Sequence, residues 1–456
     1  MSLPLTRPLS ISRLKAFPTV GSLKTSLSRQ FNKSLWPPVS IATMGTTASR
    51  PQPVPPLLFP TTGFELIDPS DKVEEEALST FHPGDYYPMH LGDIVRERYQ
   101  VVAKLGYGTT STVWLARDLT RYWTLKVYKA SVKQAHELAI FRHLQQSASS
   151  SNHPGLENIR RLEDSFTVRS PSGTEHVVMV MTPLGMSLRS FRERQAAKVF
   201  SPTFTMVAVD QALVGLNFLH AIADVVHTDL HAGNLLIGIQ DESILSGVED
   251  DSIHKPSARK QNSDGTVTYV SQYMLGGLGP IQICDFGQAR IGELHSGPAM
   301  PIPYRAPEVI LKMPWGREVD MWSLGLMTWD LLEKKPLFDV YDAEDPDLND
   351  AHHLAALTVL LETPPVAFQE QSLECKKYWD EKGNWIGPVP LPQLEDLSRQ
   401  ITRLEGYDKL KFLSFVGTLL NWDPVERMST SQAYDHVWLK DFRTGLDERE
   451  RAAHEK

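Results

Sequence analysis

The stretch VVHTDLHAGN, residues 225–234, decides how this chain is interpreted. It follows the pattern H-x-D-x-x-x-x-N, with His227, Asp229 and Asn234 at its three fixed positions. Thr228 follows the histidine, and His231 stands two places after the aspartate. Three fixed residues are too few to assign a fold, so the meaning of this stretch depends on the sequence around it.

Composition limits the classes of protein to which the stretch can belong. The chain has 456 residues, of which 41% are apolar, and that is enough to bury a large core. A formal net charge of -9 argues against a nucleic-acid-binding body, so we expect no direct binding of nucleic acid. Two cysteines give no disulfide framework, and apolar runs such as HHLAALTVLL are too short to span a membrane.

The first 64 residues differ in composition from the rest. They contain no Asp or Glu and seven basic residues, among many Ser and Pro: Arg7, Arg13, Lys15, Lys24, Arg29, Lys33 and Arg50. This composition is typical of a disordered tail, and also of an organelle transit peptide. A third interpretation is a start site at Met44, with the preceding residues lying upstream of the true chain.

The following segments predict a sheet-rich part and then a helical part. RYQVVAKLG, STVWLARD, YWTLKVY and EHVVMVMT are β-branched and aromatic runs between turns, interrupted by the helical SVKQAHELAIFRHL. From about residue 184, SPTFTMVAVDQALVGLNFLHAI begins a helix with Ser201 as cap and Pro202 in its first turn. VDMWSLGLMTWDLL is apolar nearly all round and predicts a buried helix. The fold class is therefore α+β, with a small sheet-rich lobe and a larger helical one.

A glycine-rich turn lies between the first two long strands. LGYGTTSTVW gives G-x-G-x-x-S-x-V with Gly106, Gly108 and Ser111. A dinucleotide-binding G-x-G-x-x-G should lead from a strand into a helix, which this stretch does not do. The glycines would let a hairpin lie close over phosphates, although a simple tight turn has the same composition.

Further motifs follow in a fixed order. Lys126 lies on the third long strand, and Glu137 lies on the next helix. Asp229 and Asn234 come next, then Asp285 in CDFGQAR and Glu308 in RAPEVIL. This is the order of the signals of a phosphoryl-transfer site of the kinase type.

These motifs resemble the eukaryotic protein kinase superfamily from about residue 90 to 442. Within it, YYPMHLGDIVRERYQVVAKLGYGTTSTVWLARD and HVVMVMTPLG resemble the SR protein kinase family, especially its divergent fungal branch. The resemblance implies a two-lobed kinase domain at 99–442, with an N-lobe at 99–182, a C-lobe at 183–442 and an insert at 240–280. A basic or transit-like segment (1–64) and an extension (65–98) precede it, and a charged tail (443–456) follows. The polar composition of the insert predicts a mobile surface loop rather than a subdomain.

The resemblance also implies cofactors and site residues, with ATP and Mg²⁺ as the cofactors. It implies a catalytic role for Asp229, Lys126, Glu137, Asn234 and His231. The residues implied to bind the nucleotide are Leu105, Gly106, Gly108, Val113, Lys126, Met181 and Leu184. Asn234 and Asp285 would hold the metal. Asp320 should anchor the catalytic loop, and Glu308 should pair with Arg427.

Three positions depart from the pattern of the resemblance. Thr228 replaces an Arg, His231 replaces the Lys that contacts the γ-phosphate, and Pro301 replaces a Thr that touches both the catalytic Asp and that Lys. An active kinase and an inactive ATP-binding scaffold therefore both remain open. D-L-H-x-G-N also occurs in small-molecule phosphotransferases, but the RAPE motif and the Glu308 and Arg427 pair favour a protein acceptor.

Substrate and regulation can be predicted in part. DVYDAEDPDLND, residues 339–350, holds six acidic residues and would attract Arg-rich peptides, although a solvated acidic loop has the same composition. The family resemblance implies Ser/Thr transfer to Arg/Ser-rich proteins of RNA processing. Only Ser296 and Tyr304 could be phosphorylated between Gly287 and Tyr304, so we expect activity without loop phosphorylation. We also expect a monomer in cytoplasm and nucleus, with mitochondrial targeting by residues 1–50 as the alternative.

Overall fold

The computed structural model describes residues 55–130, 135–274 and 276–454. Residues 1–54 of the predicted tail or transit segment lie outside the described residues, and so do the last two residues of the predicted C-terminal tail. The fold class predicted from the sequence is confirmed, because a sheet-rich lobe is followed by a helical one.

In the part of the chain that the structure describes, the N-lobe is one antiparallel sheet with one long helix. Its strands are β1 (Ile94–Val95), β2 (Tyr99–Tyr107), β3 (Ser111–Arg117), β4 (Tyr122–Tyr128), β5 (Leu162–Arg169) and β6 (Glu175–Met181). They lie in the order β1-β2-β3-β4-β6-β5. Helix α1 (Ala135–Ser149) joins β4 to β5 and buries Ile140, Phe141 and Leu144. The β-branched and aromatic runs thus form the strands predicted from them.

The C-lobe is mainly helical. Its helices outside the insert are α2 (Leu188–Arg194), α3 (Pro202–Asn217), α5 (Pro307–Ile310), α6 (Glu318–Leu332), α7 (Asn349–Leu361), α8 (Val366–Gln369), α9 (Leu397–Gln400), α10 (Gly406–Leu419), α11 (Thr430–Tyr434) and α12 (Val437–His454). Its strands are β7 (Leu184–Ser187), β8 (Val225–Val226), β9 (Leu235–Gly238), β12 (Ile281–Ile283) and β13 (Arg290–Ile291). Helix α12 continues through residue 442, so the predicted tail begins inside a helix.

Two apolar helices form the centre of the C-lobe. Helix α3 begins as predicted, because the Ser201 hydroxyl accepts a hydrogen bond from the Phe204 amide at 3.2 Å. Val209 and Leu213 on its inner face are fully buried, and so are nearly all residues of α6. The stretch Pro202–Ile222 is apolar and long enough to cross a membrane, but 56% of its apolar window is buried inside this lobe. It is a core helix of the C-lobe.

The insert is folded, which corrects the prediction of a mobile loop. It contains α4 (Ser243–His254) and a hairpin of β10 (Arg259–Gln261) and β11 (Val267–Tyr269). Leu245 and Val248 of α4 are buried against Val102 and Leu115 of the N-lobe sheet. The polar composition misled the prediction because a short amphipathic helix needs only a few apolar residues when a neighbouring surface receives them.

The extension before the kinase domain contributes buried carboxylates that pair with lysines of β2 and of the insert. Glu75 accepts a hydrogen bond from the Lys104 ammonium, and the Glu76 carboxylate lies 2.5 Å from the Lys260 ammonium of the insert. All four residues are buried, and the Lys104 ammonium also donates to the Tyr269 carbonyl at 3.1 Å. Lys104 lies two residues before Gly106, so the extension and the insert together support the strand that leads into the glycine-rich turn.

Candidate active site

The glycine-rich turn joins β2 to β3. Gly106 lies opposite Val113, and the Gly108 amide donates to the Ser111 carbonyl at 2.8 Å. A Cβ atom on Gly106 or Gly108 would meet no atom within 4 Å. Packing inside the protein therefore does not require these glycines. Their lack of side chains leaves open space beside the hairpin, where a phosphate chain can approach the backbone.

Three predicted site residues converge at Lys126. Its ammonium lies 3.1 Å from both carboxylate oxygens of Glu137 and 3.4 Å from Oδ1 of Asp285. Burial disfavours the charged ammonium, but the carboxylates of Asp285 and Glu137 outweigh burial and raise the pKa of Lys126. The charge of Lys126 in turn lowers the pKa of Asp285, against the opposing effect of burial. The arrangement fixes a positive charge opposite the glycine-rich turn.

The Glu137 carboxylate has a further partner. The Tyr128 hydroxyl donates to Glu137 from the strand that carries Lys126. Burial raises the pKa of Tyr128, so its hydroxyl stays protonated and can donate. The tyrosine therefore helps to hold the glutamate that orients the lysine.

Met181 and Leu184, which were predicted to bind the nucleotide, lie where the two lobes join, at the hinge of residues 182–184. Met181 ends β6 and pairs with Thr124, while Leu184 begins β7 of the C-lobe. Both side chains are buried. Leu105 is partly buried and packs against the cluster that contains α4 of the insert. Val113 pairs with Lys126 across the sheet, so it lies beside the charged group.

The catalytic loop, residues 225–234, is anchored by Asp320 of α6. Its buried carboxylate accepts hydrogen bonds at 2.8 Å from the amides of His227 and Thr228 and makes a third 2.8 Å contact with the His220 imidazole. The anchoring role predicted for Asp320 is therefore present. Burial alone would raise the pKa of this carboxyl, but the His220 contact and the other polar partners lower it. The carboxylate thus stays ionised and fixes the loop backbone.

Asp229 and Asn234 face each other within the loop. The Asn234 amide group donates to the Asp229 carbonyl at 2.9 Å and to its Oδ2 at 3.0 Å. Burial raises the pKa of Asp229; His227 opposes that rise, and the charge of Asp285 adds to it. A carboxylate with a raised pKa is a better proton acceptor, which suits a group that must orient and deprotonate a hydroxyl.

His231 is held by two donors on one nitrogen. Its Nδ1 accepts from the Gly233 amide at 3.0 Å and from the Arg189 guanidinium at 3.2 Å, and its Nε2 lies 3.5 Å from Oδ1 of Asp229. Burial, followed by the charge of Arg189, lowers the pKa of His231 to about 4. His231 is therefore neutral at pH 7 and does not supply the positive charge of the lysine that it replaces.

A backbone hydrogen bond brings Asn234 and Asp285 close together. The Cys284 amide donates to the Asn234 carbonyl at 2.8 Å, which brings Asp285 beside the catalytic loop. Half of the Asp285 side chain is exposed, and its φ of 63° is the strained left-handed conformation typical of functional positions. A carboxylate and an amide oxygen are hard ligands that suit Mg²⁺, so these two residues fit the predicted metal site.

A cleft of about 330 Å³ opens beside Asp229. Its lining includes Gln288 and Arg305 and the residues Pro298, Ala299, Met300 and Pro301. Pro301 has no amide hydrogen and no side-chain hydroxyl, so it cannot make the contacts of the Thr that it replaces. Behind the cleft, the Tyr304 hydroxyl donates to the Asp330 carboxylate at 2.5 Å. The cleft is large enough for a side chain of a substrate to approach Asp229.

Helix α5, which follows the cleft residues in the chain, is joined to the rest of the C-lobe by a buried ion pair. The Arg427 guanidinium makes two bonds to the Glu308 carboxylate, at 2.6 and 2.7 Å, with both side chains almost fully buried. This is the pair predicted from the sequence. Its two parallel bonds fix the start of α5 relative to the loop before α11.

Sequence reasoning missed Arg189 and Tyr128. Arg189 lies 42 residues before His231, in a helix whose composition, LRSFRER, gives no sign of a site. A signal was available for Tyr128, because strand alternation places it on the same face of β4 as Lys126, toward Glu137. No comparable pattern points from Arg189 to the catalytic loop.

Comparison with known proteins agrees with this geometry. A family model described as a protein kinase domain matches residues 99–439. A serine/threonine protein kinase of Aspergillus fumigatus is 38% identical over 86% of this chain and 96% of its own length. A serine/threonine-protein kinase SRPK of Physarum polycephalum is 28% identical over 81% of this chain and 92% of its own length. SRSF protein kinase 3 of Sus scrofa is 30% identical over 51% of this chain and 41% of its own length. The chain therefore belongs to the protein kinase family, as a serine/threonine kinase related to the SR protein kinases.

Proposed function

We propose that this kinase transfers the γ-phosphoryl group of Mg-ATP to Ser or Thr in Arg/Ser-rich segments of RNA-processing proteins. The names of the SRPK and SRSF kinases that it resembles support this class of substrate. One observation carries the proposal to this chain. Arg305, in the wall of the cleft beside Asp229, pairs at 2.7 Å with Asp350, the last residue of an acidic segment. The C-terminal end of that segment therefore lies at the cleft.

The acidic segment, residues 339–350, has exposed carboxylates that a substrate can contact. Asp350 pairs with Arg305, and Asp342 accepts bonds from His352 and two backbone amides. The other four acidic side chains are exposed: Asp339, Glu344, Asp345 and Asp347. Guanidinium groups of an Arg/Ser repeat could pair with these carboxylates while a serine reaches Asp229.

We assign roles in the transfer to six side chains. Asp229 orients the acceptor hydroxyl and takes its proton, while Lys126, held by Glu137, orients the phosphates of the nucleotide. Asn234 and Asp285 would hold Mg²⁺, which, when bound, neutralises charge on the phosphates. The neutral His231 presents its Nε2–H beside Asp229, where it can donate to a phosphoryl oxygen. Catalysis here depends on positioning and on electrostatic stabilisation.

We also propose that the kinase is active without phosphorylation of its activation segment. The Thr228 hydroxyl donates to the Gln288 carbonyl at 2.8 Å. Further along, His295 and Trp315 exchange two backbone bonds, and the Trp315 indole donates to the Gly297 carbonyl at 3.0 Å. These contacts hold the segment on both sides of Ser296 with no need for a phosphate. Activity that appeared only after phosphorylation of Ser296 would contradict this proposal.

Transfer itself is tested with purified full-length protein and Mg-ATP. The acceptors are an Arg/Ser-repeat peptide, a neutral Ser peptide and a mixture of small-molecule alcohols, and the control enzyme is Asp229→Asn. We expect label on the Arg/Ser peptide, and its loss in the control. If ATP binds and no acceptor is labelled, the chain is instead an inactive scaffold whose acidic surface holds basic partners.

The acidic segment is tested by charge removal. A variant with Asp339, Asp345 and Asp347 changed to Asn and Glu344 changed to Gln should raise KM for the Arg/Ser peptide roughly tenfold, since each exposed pair contributes less than about 1 kcal/mol. KM for the neutral peptide should stay constant. A matched control removes four exposed charges elsewhere: Glu163→Gln, Glu242→Gln, Glu381→Gln and Glu395→Gln. An equal effect of both variants, or an equal effect on both peptides, would remove the argument for docking.

We further propose a monomer in cytoplasm and nucleus that binds no nucleic acid directly. The net charge of -9 supports the last point, because it opposes binding to phosphate backbones. A fluorescent fusion of the full chain should distribute between cytoplasm and nucleus. Mitochondrial fluorescence that disappears when residues 1–50 are deleted would show that the acid-free N-terminal segment is a transit peptide instead.

A further inference from the structure

Arg189 reaches the catalytic loop from the first turn of α2. Its backbone amide donates to the Ala232 carbonyl at 2.9 Å, which fixes the start of the helix against the loop. Its guanidinium then lies 3.2 Å from Nδ1 of His231. The Arg189 side chain is otherwise exposed, and its charge also opposes the rise in the pKa of Asp229 and of Asp330.

The two contacts on Nδ1 determine the chemical form of His231. A backbone amide and a guanidinium can only donate hydrogen bonds. Nδ1 therefore acts as an acceptor for both the Gly233 amide and Arg189, and the ring proton must be on Nε2. Nε2 faces Asp229 at 3.5 Å. The imidazole thus presents one N–H to the place where the phosphoryl group and the acceptor hydroxyl meet.

The space at Gly233 shows that this arrangement is built into the loop. A Cβ atom at position 233 would lie 2.8 Å from Cε1 and 2.9 Å from Nδ1 of His231, and 3.2 Å from Cζ of Arg189. Real Cβ atoms do not approach other atoms at the shorter distances, so a side chain there would displace the ring. Glycine at 233 thus leaves the space that the imidazole and the guanidinium occupy in this arrangement.

We propose that Arg189 is a positioning residue for the reaction, and that with the Gly233 amide it fixes the ring plane and tautomer of His231 so that Nε2–H points at Asp229 and the transferred phosphoryl group. This inference rests on the catalytic role proposed for His231. The usual lysine contributes a positive charge at this position. Here the neutral His231 donates a hydrogen bond instead, and the Arg189 guanidinium holds its ring in place. Pro301 fits this arrangement, because the loop has no lysine that would need a threonine partner.

A double-mutant cycle tests whether Arg189 acts through His231. Arg189→Met should lower kcat for an Arg/Ser peptide roughly tenfold, the effect of about one hydrogen bond to a charged group, with KM for ATP and peptide changed less than about threefold. Arg189→Lys, which keeps a charged donor, should recover part of kcat. In a His231→Leu background, Arg189→Met should have no further effect, because leucine has no atom that can accept a hydrogen bond from Arg189. A full additional loss there, or a change in KM alone, would show that Arg189 acts by a route other than His231 and would overturn the proposal.

Arg194→Met is the matched control for the helix. Arg194 lies on the same helix, is exposed, and contacts the Tyr273 ring and the Ser190 carbonyl. This variant should leave kcat unchanged. A tenfold loss in Arg194→Met would mean that the helix, rather than the guanidinium of Arg189, affects the site.

A spectroscopic measurement tests the contact independently of activity. In protein labelled with ¹⁵N-histidine, the His231 signals are assigned by their loss in His231→Gln. Nδ1 should appear unprotonated in the wild type, and its resonance should move in Arg189→Met but not in Arg194→Met. A protonated Nδ1, or an Nδ1 resonance that is the same in wild type and Arg189→Met, would overturn the inference. A correct nitrogen signature in an enzyme that labels no peptide would support the contact and reject the proposed transfer to Arg/Ser segments.

Discussion

Thr228 has a backbone conformation that is unusual for its residue type, and its hydroxyl makes a hydrogen bond outside the catalytic loop. Its φ is 65°, a left-handed conformation that is costly for a β-branched residue, and it is almost fully buried. The two amide bonds to Asp320 fix the loop there, and the hydroxyl bond to Gln288 uses the resulting direction of the side chain. The strain therefore places the hydroxyl where it joins the catalytic loop to the activation segment.

Thr228→Val should separate this hydroxyl from the shape of the side chain. Valine keeps the branched Cβ and loses the donor, so we expect the free energy of unfolding to fall by about 1 kcal/mol. Arg290 also donates to the Gln288 carbonyl, and this limits the loss. The value of kcat should fall several-fold, because the start of the activation segment is held less tightly. Urea unfolding and peptide kinetics measure the two effects, and Thr228→Ser, which keeps the hydroxyl, should remain close to wild type; equal losses in both variants would contradict the argument.

His353 predicts a pH dependence of stability. It is fully buried on α7 against the Phe338 ring, and burial, followed by the charge of Arg305, lowers its pKa from 6.5 to about 3. The unfolded chain then binds a proton more readily than the folded one, so the contribution is complete above pH 6.5 and is lost as the pH falls toward 3. At pH 5 the expected cost is about 2 kcal/mol.

His353→Leu should remove this part of the pH dependence. Urea unfolding at pH 8 and pH 5 gives the loss of stability for each protein, and the loss should be smaller in the variant by about 2 kcal/mol. The comparison between the two pH values cancels the packing change that the substitution causes at both. An identical loss in wild type and variant would show that His353 accepts a proton without cost in the folded state.

The motif residues could be located from the sequence because their order along the chain is itself informative. Lys126, Glu137 and Asp285 are far apart in sequence, yet the motif order assigned them to one site. The Lys126 ammonium lies 3.1 Å from Glu137 and 3.4 Å from Asp285. The contact of Arg189 with His231 has no such signal. It depends on the angle at which α2 leaves the hinge, and neither composition nor periodicity contains that angle.

At the scale of elements, the insert and the extension were the least predictable parts. Both have many charged residues, and charged residues are normally exposed, so the composition predicts solvated segments. The charges are buried because they pair across elements, as Lys104 does with Glu75 and Lys260 with Glu76. Each segment alone has the composition of a loop, and its contacts with the N-lobe sheet and with the other segment bury its charged and apolar side chains.

Lys104→Met should show what this pairing contributes. The change leaves Glu75 buried near Glu74 without the ammonium that both of them contact, so we expect a loss of about 3–5 kcal/mol in the free energy of unfolding. Lys104→Met combined with Glu75→Gln should be less destabilised than Lys104→Met alone, because the Glu75 charge is then removed and Glu74 keeps its bonds from Ser271. Chemical denaturation measures both, with the exposed Lys382→Met as control. A single variant as stable as the double variant would mean that the pair is not coupled.

At the scale of the whole molecule, the order of the two lobes was predictable and their connection was not. Strand alternation and helical spacing are local patterns, so they predict a sheet-rich lobe before a helical one. The connection includes α4, which packs on Val102 and Leu115 of the N-lobe and near Ile239 of the C-lobe. The insert thus touches both lobes beside the hinge, a result of tertiary packing that local patterns do not contain.

The charge of the whole molecule leads to a prediction about salt. With a net charge of -9 and four exposed acids in the acidic segment, an Arg/Ser peptide is attracted over distances that salt shortens from about 10 Å at 0.1 M to about 3 Å at 1 M. KM for that peptide should therefore rise steeply with added NaCl, while KM for a neutral peptide stays nearly constant. The kcat value should change little, since the mostly buried pair of Lys126 and Glu137 is screened much less. Steady-state kinetics at increasing salt would measure this, with the four-charge variant of the acidic segment as comparison. A parallel rise of KM for both peptides would mean that salt acts on the enzyme itself rather than on its attraction for arginine.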